Sequence, residues 1–202
     1  MKIYLARHGE TSGDVKKIFG GAYDDSLTRK GREQSHRLGK LIQKEKVSLI
    51  LVSPKKRTRQ TVKILQTYLS GCSTHVIDGL RVCNHYGVMT GMKESEAKKK
   101  YPHLVRLLEE SSKNTIEGGE GYEEFIQRVL QTYEEIKQLP FETVLVVTHR
   151  GFIRGLIREY FNLGDIVVSH SGYVAIDIDN NGKEKCTDLV DAYFDKEQAR
   201  HG

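Results

Sequence analysis

The sequence predicts an α/β protein, a three-layer α/β/α sandwich in which a mostly parallel central sheet lies between helices. Predicted strands alternate with predicted helices along most of the chain, an order typical of parallel strands joined by helical crossovers. Two of the strands, over 48–52 and 143–147, are continuous apolar runs, which indicates burial on both faces. The length of 202 residues fits one sizeable domain better than two.

Local signals predict each element in turn. Thr28 has a residue type that caps the helix following it. Ser53 and Pro54 have the types preferred at the N-cap and at the first position of the next helix. The full predicted order is a strand over 2–6, a helix from 28 to about 44, a strand over 48–52, a helix from 53 to about 69, a strand over 75–78, helices between 93 and 113 interrupted at Pro102, a helix from 118 to about 138, a strand over 143–147, a helix after 151, and strands over 172–178 and 185–190.

The predicted elements form one domain over residues 1–192, followed by a polar tail over 193–202. From about residue 80 to 118 an irregular stretch is followed by polar helices, which predicts a small helical lid inserted into the domain. No internal repeat, low-complexity segment or linker is present in the sequence.

Composition and charge narrow the classes of function. No apolar run is long enough to cross a bilayer, and the first strand begins at Lys2, so we expect a cytoplasmic protein with no membrane partner. Three cysteines far apart do not indicate a disulfide framework or a zinc site. The net charge of +5 comes without a nucleic-acid-binding motif, so the basic runs are interpreted as solvated faces, and the excess favours a small anionic substrate.

Charged residues follow three of the predicted strands. Arg7, His8 and Gly9 end the first strand, Arg57 lies in the first turns after the second, and His149 follows the strand over 143–147. Parallel α/β sheets bind ligands at the carboxyl ends of their strands, so these side chains are candidates for one site. Arginine forks suit a phosphoryl dianion, and a neutral imidazole can attack it.

A set of motifs in this order resembles the histidine phosphatase superfamily, also called phosphoglycerate mutase-like. The motifs are Arg7-His8-Gly9-Glu10-Thr11, Gly21-Ala22-Tyr23-Asp24-Asp25-Ser26-Leu27-Thr28, Ser53-Pro54-Lys55-Lys56-Arg57-Thr58-Arg59-Gln60-Thr61, Gly118-Gly119-Glu120 and Thr148-His149-Arg150-Gly151. Together they span most of residues 1–160.

The resemblance implies a phosphoglycerate mutase-like fold in which His8 is the nucleophile that becomes phosphorylated. Arg7, Arg57 and His149 would bind and stabilise the transferring group, without metal or cofactor. We expect further substrate contacts from six residues, Gly9, Glu10, Thr11, Asp14, Gly21 and Arg150.

Two positions depart from the family pattern. The family's proton-donating carboxylate lies just before the motif matched by His85-Tyr86-Gly87, where this chain has Val82-Cys83-Asn84. The donor is therefore left open among Glu10, Asp78, Glu94, Glu120 and water. Arg150 stands where the family commonly has a small residue, and it is interpreted either as a cation that binds substrate or as a solvated side chain.

The predicted function is a metal-independent phosphatase that hydrolyses phosphomonoesters of a small metabolite through a phosphohistidine on His8. Phosphotransfer of the phosphoglycerate mutase type is an alternative, although the chain lacks the insertion with paired arginines found in mutases. A catalytically weak phosphate-binding protein is a second alternative because the usual acid is missing. The sequence does not predict the oligomeric state or the substrate.

Overall fold

The computed structural model describes residues 1–111 and 113–194. The strands are β1 (Lys2–Arg7), β2 (Leu49–Val52), β3 (Ser73–Val76), β4 (Thr143–Thr148), β5 (Ile166–Ile178) and β6 (Glu184–Phe194). The helices are α1 (Ser12–Val15), α2 (Arg29–Ile42), α3 (Lys56–Leu65), α4 (Glu94–Lys100), α5 (Pro102–Glu110), α6 (Tyr122–Lys137) and α7 (Arg150–Glu159). Within these ranges no helix combines the length and the apolar character needed to cross a membrane.

Within the described residues the strands form one six-stranded sheet in the order β3-β2-β4-β1-β5-β6. The first four strands in this order run parallel, whereas β5 and β6 add an antiparallel edge. Helices cover both faces, so the predicted α/β class is confirmed.

The register of the sheet brings distant parts of the sequence to one edge. β1 and β4 end side by side with Arg7 opposite Thr148, so His8 and His149 leave neighbouring strands at the same level. β2 ends beside β4, which places Ser53 next to them. The short parallel strands thus fix the positions of groups that are more than 90 residues apart.

Alternation along the strands builds a core on each side of the sheet. On β1, Ile3 and Leu5 face the cluster packed with α6 and α7, while Tyr4 and Ala6 face the cluster packed with α2 and α3. All four side chains are buried, as expected for a central strand covered on both faces.

The segment predicted as a lid contains its own small apolar cluster, formed by Met89, Ala97, Val105 and Ile116. The predicted interruption at Pro102 is confirmed, since α4 ends at Lys100 and α5 begins at the proline. Proline suits this first helical position because an N–H there would have no partner within the helix, so no hydrogen bond is lost.

The predicted N-cap at Ser53 is wrong. The backbone N–H of Ser53 donates to Val147 O at 3.1 Å, and its Oγ contacts His149, so the chain stays extended beyond β2. The helix begins at Lys56 with Lys55 as its N-cap.

The last two strands are longer than predicted. β5 starts at Ile166 rather than 172, and it contains an irregularity where Ser171 adopts a positive φ of 59°. β6 reaches Phe194 and so includes the first two residues of the predicted tail. The rest of that tail, 195–202, lies outside the described residues.

Candidate active site

A cavity of about 300 Å³ opens at the carboxyl edge of the sheet. All four residues predicted to be catalytic, Arg7, His8, Arg57 and His149, line it. The remaining walls come from the loop after β1, from the segment over 82–86, from the start of α6 and from one side of α7.

The hydrogen bonds of His8 define its tautomer. Nδ1 lies 2.8 Å from Gly9 O, which only accepts, so Nδ1 carries the proton. Nε2 lies 3.2 Å from Arg57 Nε, which only donates, so Nε2 presents a lone pair. Burial, followed by the charges of Arg57 and Arg7, lowers the pKa of His8 well below its usual range. The imidazole is therefore neutral at pH 7, the form required of a nucleophile.

Arg57 is held in place by a buried carboxylate. Its Nη1 donates to Asp25 Oδ1 at 3.1 Å and to Tyr23 O at 2.9 Å, and both side chains of the ion pair are only 6 % exposed. Asp25 also accepts from the Gly13 N–H at 2.9 Å. Asp25 therefore fixes Arg57 against the loop that follows β1 and leaves the guanidinium Nε directed at His8.

Arg7, His170 and Asp14 form a second group beside His8. Arg7 donates through Nη1 to Val168 O at 2.9 Å and through Nη2 to His170 Nε2 at 2.7 Å. Asp14 Oδ2 lies 3.1 Å from the same His170 nitrogen. A single Nε2 cannot accept from Arg7 and donate to Asp14 at once, so only one of these two contacts is a hydrogen bond in any one tautomer of His170.

The pKa values of Arg7 and Asp14 are both lowered, but for different reasons. Burial and the positive charge of Arg150 lower the pKa of Arg7 to about 10, which still leaves it protonated at neutral pH. Burial raises the pKa of Asp14, but hydrogen bonds with His170 and Thr11 outweigh burial and hold it well below its usual range. The site therefore presents the cation of Arg7 beside the neutral imidazole of His8.

His149 is the N-cap residue of α7, and its Nε2 lies 2.8 Å from Ser53 Oγ. Its ring centroid is 5.2 Å from that of His8. Burial, with the charge of Arg57, lowers its pKa well below the usual range. Within the described part of the chain, His149 Nδ1 and Arg7 Nε are buried polar atoms without a hydrogen-bond partner. Unpaired buried groups of this kind are costly, and they are typical of a site that a ligand completes.

The structure places four of the six residues predicted to contact substrate at the cavity. Thr11, Asp14, Gly21 and Arg150 line the cavity, whereas Gly9 and Glu10 do not.

Gly9 and Glu10 are engaged away from the cavity. Gly9 packs so closely on Gly31 that an added Cβ would lie 2.2 Å from Gly31 O. Glu10 accepts from Thr28 Oγ1 at 2.8 Å and pairs with Lys30 at 3.1 Å. These two residues hold α2 against the end of β1.

The four carboxylates considered as proton donors, Glu10, Asp78, Glu94 and Glu120, all lie outside the cavity lining. Asp78 pairs with Arg81 and Glu94 with Lys98 at the surface.

Cys83 lines the cavity at the position of the missing acid. Burial and the neighbouring Glu120 raise the pKa of its thiol to about 12. The thiol is therefore protonated at neutral pH.

Glu120 stabilises the wall that carries Cys83. Both of its oxygens accept from Arg128 Nη2 at 2.7 Å, and Arg128 also donates to Gly79 O and Arg81 O. Glu120 accepts the Asn84 N–H at 3.3 Å as well. The ion pair thus ties α6 to the segment over 79–84.

The sequence interpretation missed three residues that the structure places in contact with the site, Asp25, Ser53 and His170. Asp25 stood in a matched motif but had no predicted role, and Ser53 was interpreted as a helix cap. His170 lay outside every motif, and only its position before an apolar strand could have drawn attention to it.

Comparison with known proteins places the chain in a family. The profile of the histidine phosphatase superfamily (branch 1) matches residues 3–182. The chain belongs to this superfamily. Its relatives include phosphoserine phosphatase 1 of Hydrogenobacter thermophilus, 30 % identical over 77 % of this chain and 74 % of that protein. A broad-specificity phosphatase of Saccharomyces cerevisiae is 28 % identical over 91 % of this chain and 82 % of that protein.

Solved structures agree with this fold. An alpha-ribazole phosphatase from Shigella flexneri superposes with a TM-score of 0.83 over 94 % of this chain and 96 % of that one, at 23 % identity. The predicted phosphoglycerate mutase-like fold is therefore confirmed. The family and its phosphatases also confirm the predicted enzyme class, a phosphoric monoester hydrolase.

Proposed function

We propose that the protein hydrolyses phosphomonoesters of a small metabolite through a phosphohistidine formed on His8 Nε2. The observation that carries this proposal is the combination of a neutral His8, whose lone pair is on Nε2, with two buried polar atoms that lack partners beside it, Arg7 Nε and His149 Nδ1. The oxygens of a phosphoryl group bound there would supply the acceptors that these two atoms lack among the described residues.

The electrostatics suit a transferring phosphoryl group. Arg7 and Arg57 supply two cations, and the start of α7 directs backbone N–H groups and the positive end of its dipole to the same edge. Preorganised donors of this kind stabilise the charge that spreads over the phosphoryl oxygens in the transition state. The same cations disfavour a protonated His8 and so keep it nucleophilic.

The reaction divides into two displacements. In the first, the lone pair of His8 Nε2 forms a bond to phosphorus while the ester P–O bond breaks, and the leaving oxygen takes a proton. In the second, water attacks the phosphohistidine, the N–P bond breaks, and His8 and orthophosphate are released. Two steps on a histidine nucleophile replace one difficult displacement by water.

The proton donor sets the range of good substrates. A thiol with a raised pKa, such as Cys83, is a weak acid, and a donor of matched acidity contributes about 10² to 10⁴ in rate. We therefore expect esters with acidic alcohols or phenols to react faster than simple alkyl phosphates, with water protonating the leaving group.

A hydrolysis screen over phosphomonoesters, run with wild type and His8→Ala, tests the proposal. We expect release of orthophosphate by wild type and its loss in His8→Ala. His75→Ala is the matched control, because His75 is an exposed histidine on β3 outside the cavity. Normal hydrolysis by His8→Ala, or equal loss in both variants, would contradict the assignment.

Mutase activity is a second candidate. A phosphoglycerate mutase-like protein of Arabidopsis thaliana is 30 % identical over 77 % of this chain and 69 % of that protein. Incubation with 3-phosphoglycerate separates the two, since a phosphatase yields orthophosphate and a mutase yields the 2-phosphate isomer.

A further inference from the structure

Three arginines at a spacing of four residues line the cavity from α7: Arg150, Arg154 and Arg158. The latter two are engaged with Asp165. Arg154 binds it through Nε at 2.7 Å and Nη2 at 2.6 Å, and Arg158 through Nη1 at 3.0 Å. Arg158 also donates through Nε to Glu159 at 2.8 Å, so these two arginines face two carboxylates.

Arg150 differs from them. Across residues 1–111 and 113–194 its side chain has no hydrogen bond or ion pair, and it is exposed at the mouth of the cavity. It is also the first residue of α7, where the helix dipole disfavours a cation. An exposed arginine in an unfavourable position, without a carboxylate to face it, is available to a ligand.

The neighbours of Arg150 show where such a ligand would lie. Arg150 lines the same cavity as Arg7 and Tyr86. Its charge lowers the pKa of Arg7 and partly offsets the burial that raises the pKa of Tyr86, so it lies close to the phosphoryl end of the cavity and to the segment over 82–86. Tyr86, Tyr122 and Phe125 also line the cavity, with rings that supply no charge. A substrate held at His8 would therefore extend its alcohol portion past Arg150.

We propose that Arg150 binds a second acid group of the substrate, so that the enzyme selects phosphomonoesters that carry a carboxylate or a further phosphate near the ester. This inference rests on the proposed function and narrows its substrate class. The guanidinium fork can donate two parallel hydrogen bonds to a carboxylate or phosphate, which a neutral alcohol cannot receive in the same way.

Matched ester pairs test the proposal through the ratio of their kcat/KM values. 3-Phosphoglycerate and glycerol 3-phosphate differ only at the terminal carbon, and O-phosphoethanolamine is O-phosphoserine without its carboxylate. Fructose 1,6-bisphosphate and fructose 6-phosphate provide the arm for a second phosphate. In wild type we expect the acidic member of at least one pair to be preferred about tenfold or more.

The variants separate a specific contact from a general change in charge. We expect Arg150→Ala to reduce the ratio about tenfold, mainly through KM, and Arg150→Lys to restore part of it. Arg29→Ala removes the same charge at the surface, where Arg29 is 94 % exposed and outside the cavity, and should leave the ratio unchanged.

The proposal fails if wild type prefers no acidic member of any pair, if Arg150→Ala keeps the wild-type ratio, or if Arg29→Ala loses as much. Hydrolysis that still requires His8 in any of these cases leaves the proposed function standing. If no ester is hydrolysed at all, calorimetry of 3-phosphoglycerate and glycerol 3-phosphate binding to wild type and Arg150→Ala gives the same comparison without turnover.

Discussion

Acidification from pH 7.5 to 5.5 is expected to lower the free energy of unfolding by about 3 kcal/mol through His8 and His149 alone. Both side chains are buried, with 6 % and 2 % exposed, and both have a pKa well below the usual range. In the unfolded chain each titrates near 6.5. Below that pH the unfolded state binds a proton that the folded state does not, so stability decreases as pH falls.

The magnitude follows from the linkage relation. When the pH falls from 7.5 to 5.5, proton binding to a histidine with a pKa of about 6.5 stabilises the unfolded state. The gain is equivalent to about one pK unit, or about 1.4 kcal/mol. Two such groups give the total. Asp14 acts outside this window, because its lowered pKa contributes stability that is lost only as pH falls below about 4.

Urea unfolding in phosphate-free buffer at several pH values measures the effect. We expect the midpoint to fall with pH at constant m-value, and the dependence to flatten in the double variant His8→Gln, His149→Gln. His75→Gln is the control, because His75 is exposed on β3. A wild-type free energy of unfolding that is constant over this range, or a double variant with the full wild-type slope, would refute the assignment of two neutral buried histidines.

Three further predictions concern the reaction. Cys83→Glu should raise kcat on alkyl phosphates about tenfold or more and change kcat on p-nitrophenyl phosphate little. Burial and Glu120 would keep part of the new carboxyl protonated, so that it can protonate a poor leaving group. Equal effects on both esters would contradict this. Ser53→Ala should lower kcat/KM about tenfold, because His149 loses the partner that orients it, and an unchanged value would show that the contact is dispensable. Hydrolysis should survive EDTA, and a loss restored by a divalent ion would point to a metal mechanism instead.

The placement of His8 and His149 at the ends of strands could be predicted because it depends on local patterns. A strand that ends at Arg7 and another that ends before His149 are visible as apolar runs, and parallel strands end at one edge. That β4 inserts between β2 and β1 is not encoded in any short pattern. The 5.2 Å separation of the rings of His8 and His149 therefore required the structure.

The partners of the predicted residues were harder to predict because they depend on the path of loops. Asp25 reaches Arg57 only because the loop after β1 folds back over α3. His170 reaches Arg7 because β5 begins earlier than its apolar run, with a distortion at Ser171 that interrupts its pairing with β6. Polar residues in such segments carry no periodic signal.

Glu120 shows a different limit of sequence patterns. An acidic residue just before an amphipathic stretch is typical of the first turn of a helix, where it complements the dipole. The helix instead begins at Tyr122, and Glu120 is an acceptor for Arg128. An acidic residue can indicate that a helix starts nearby without showing which side chain it binds.

Chemical trapping of the phosphoenzyme tests the central claim most directly. Wild type is mixed with a radiolabelled phosphomonoester, quenched in alkali within milliseconds to seconds, and digested for peptide sequencing. We expect a label on His8 that is stable in alkali and lost in acid, and no label in His8→Ala. A label on another residue, or turnover by wild type with no labelled protein at any time, would contradict a phosphohistidine on His8.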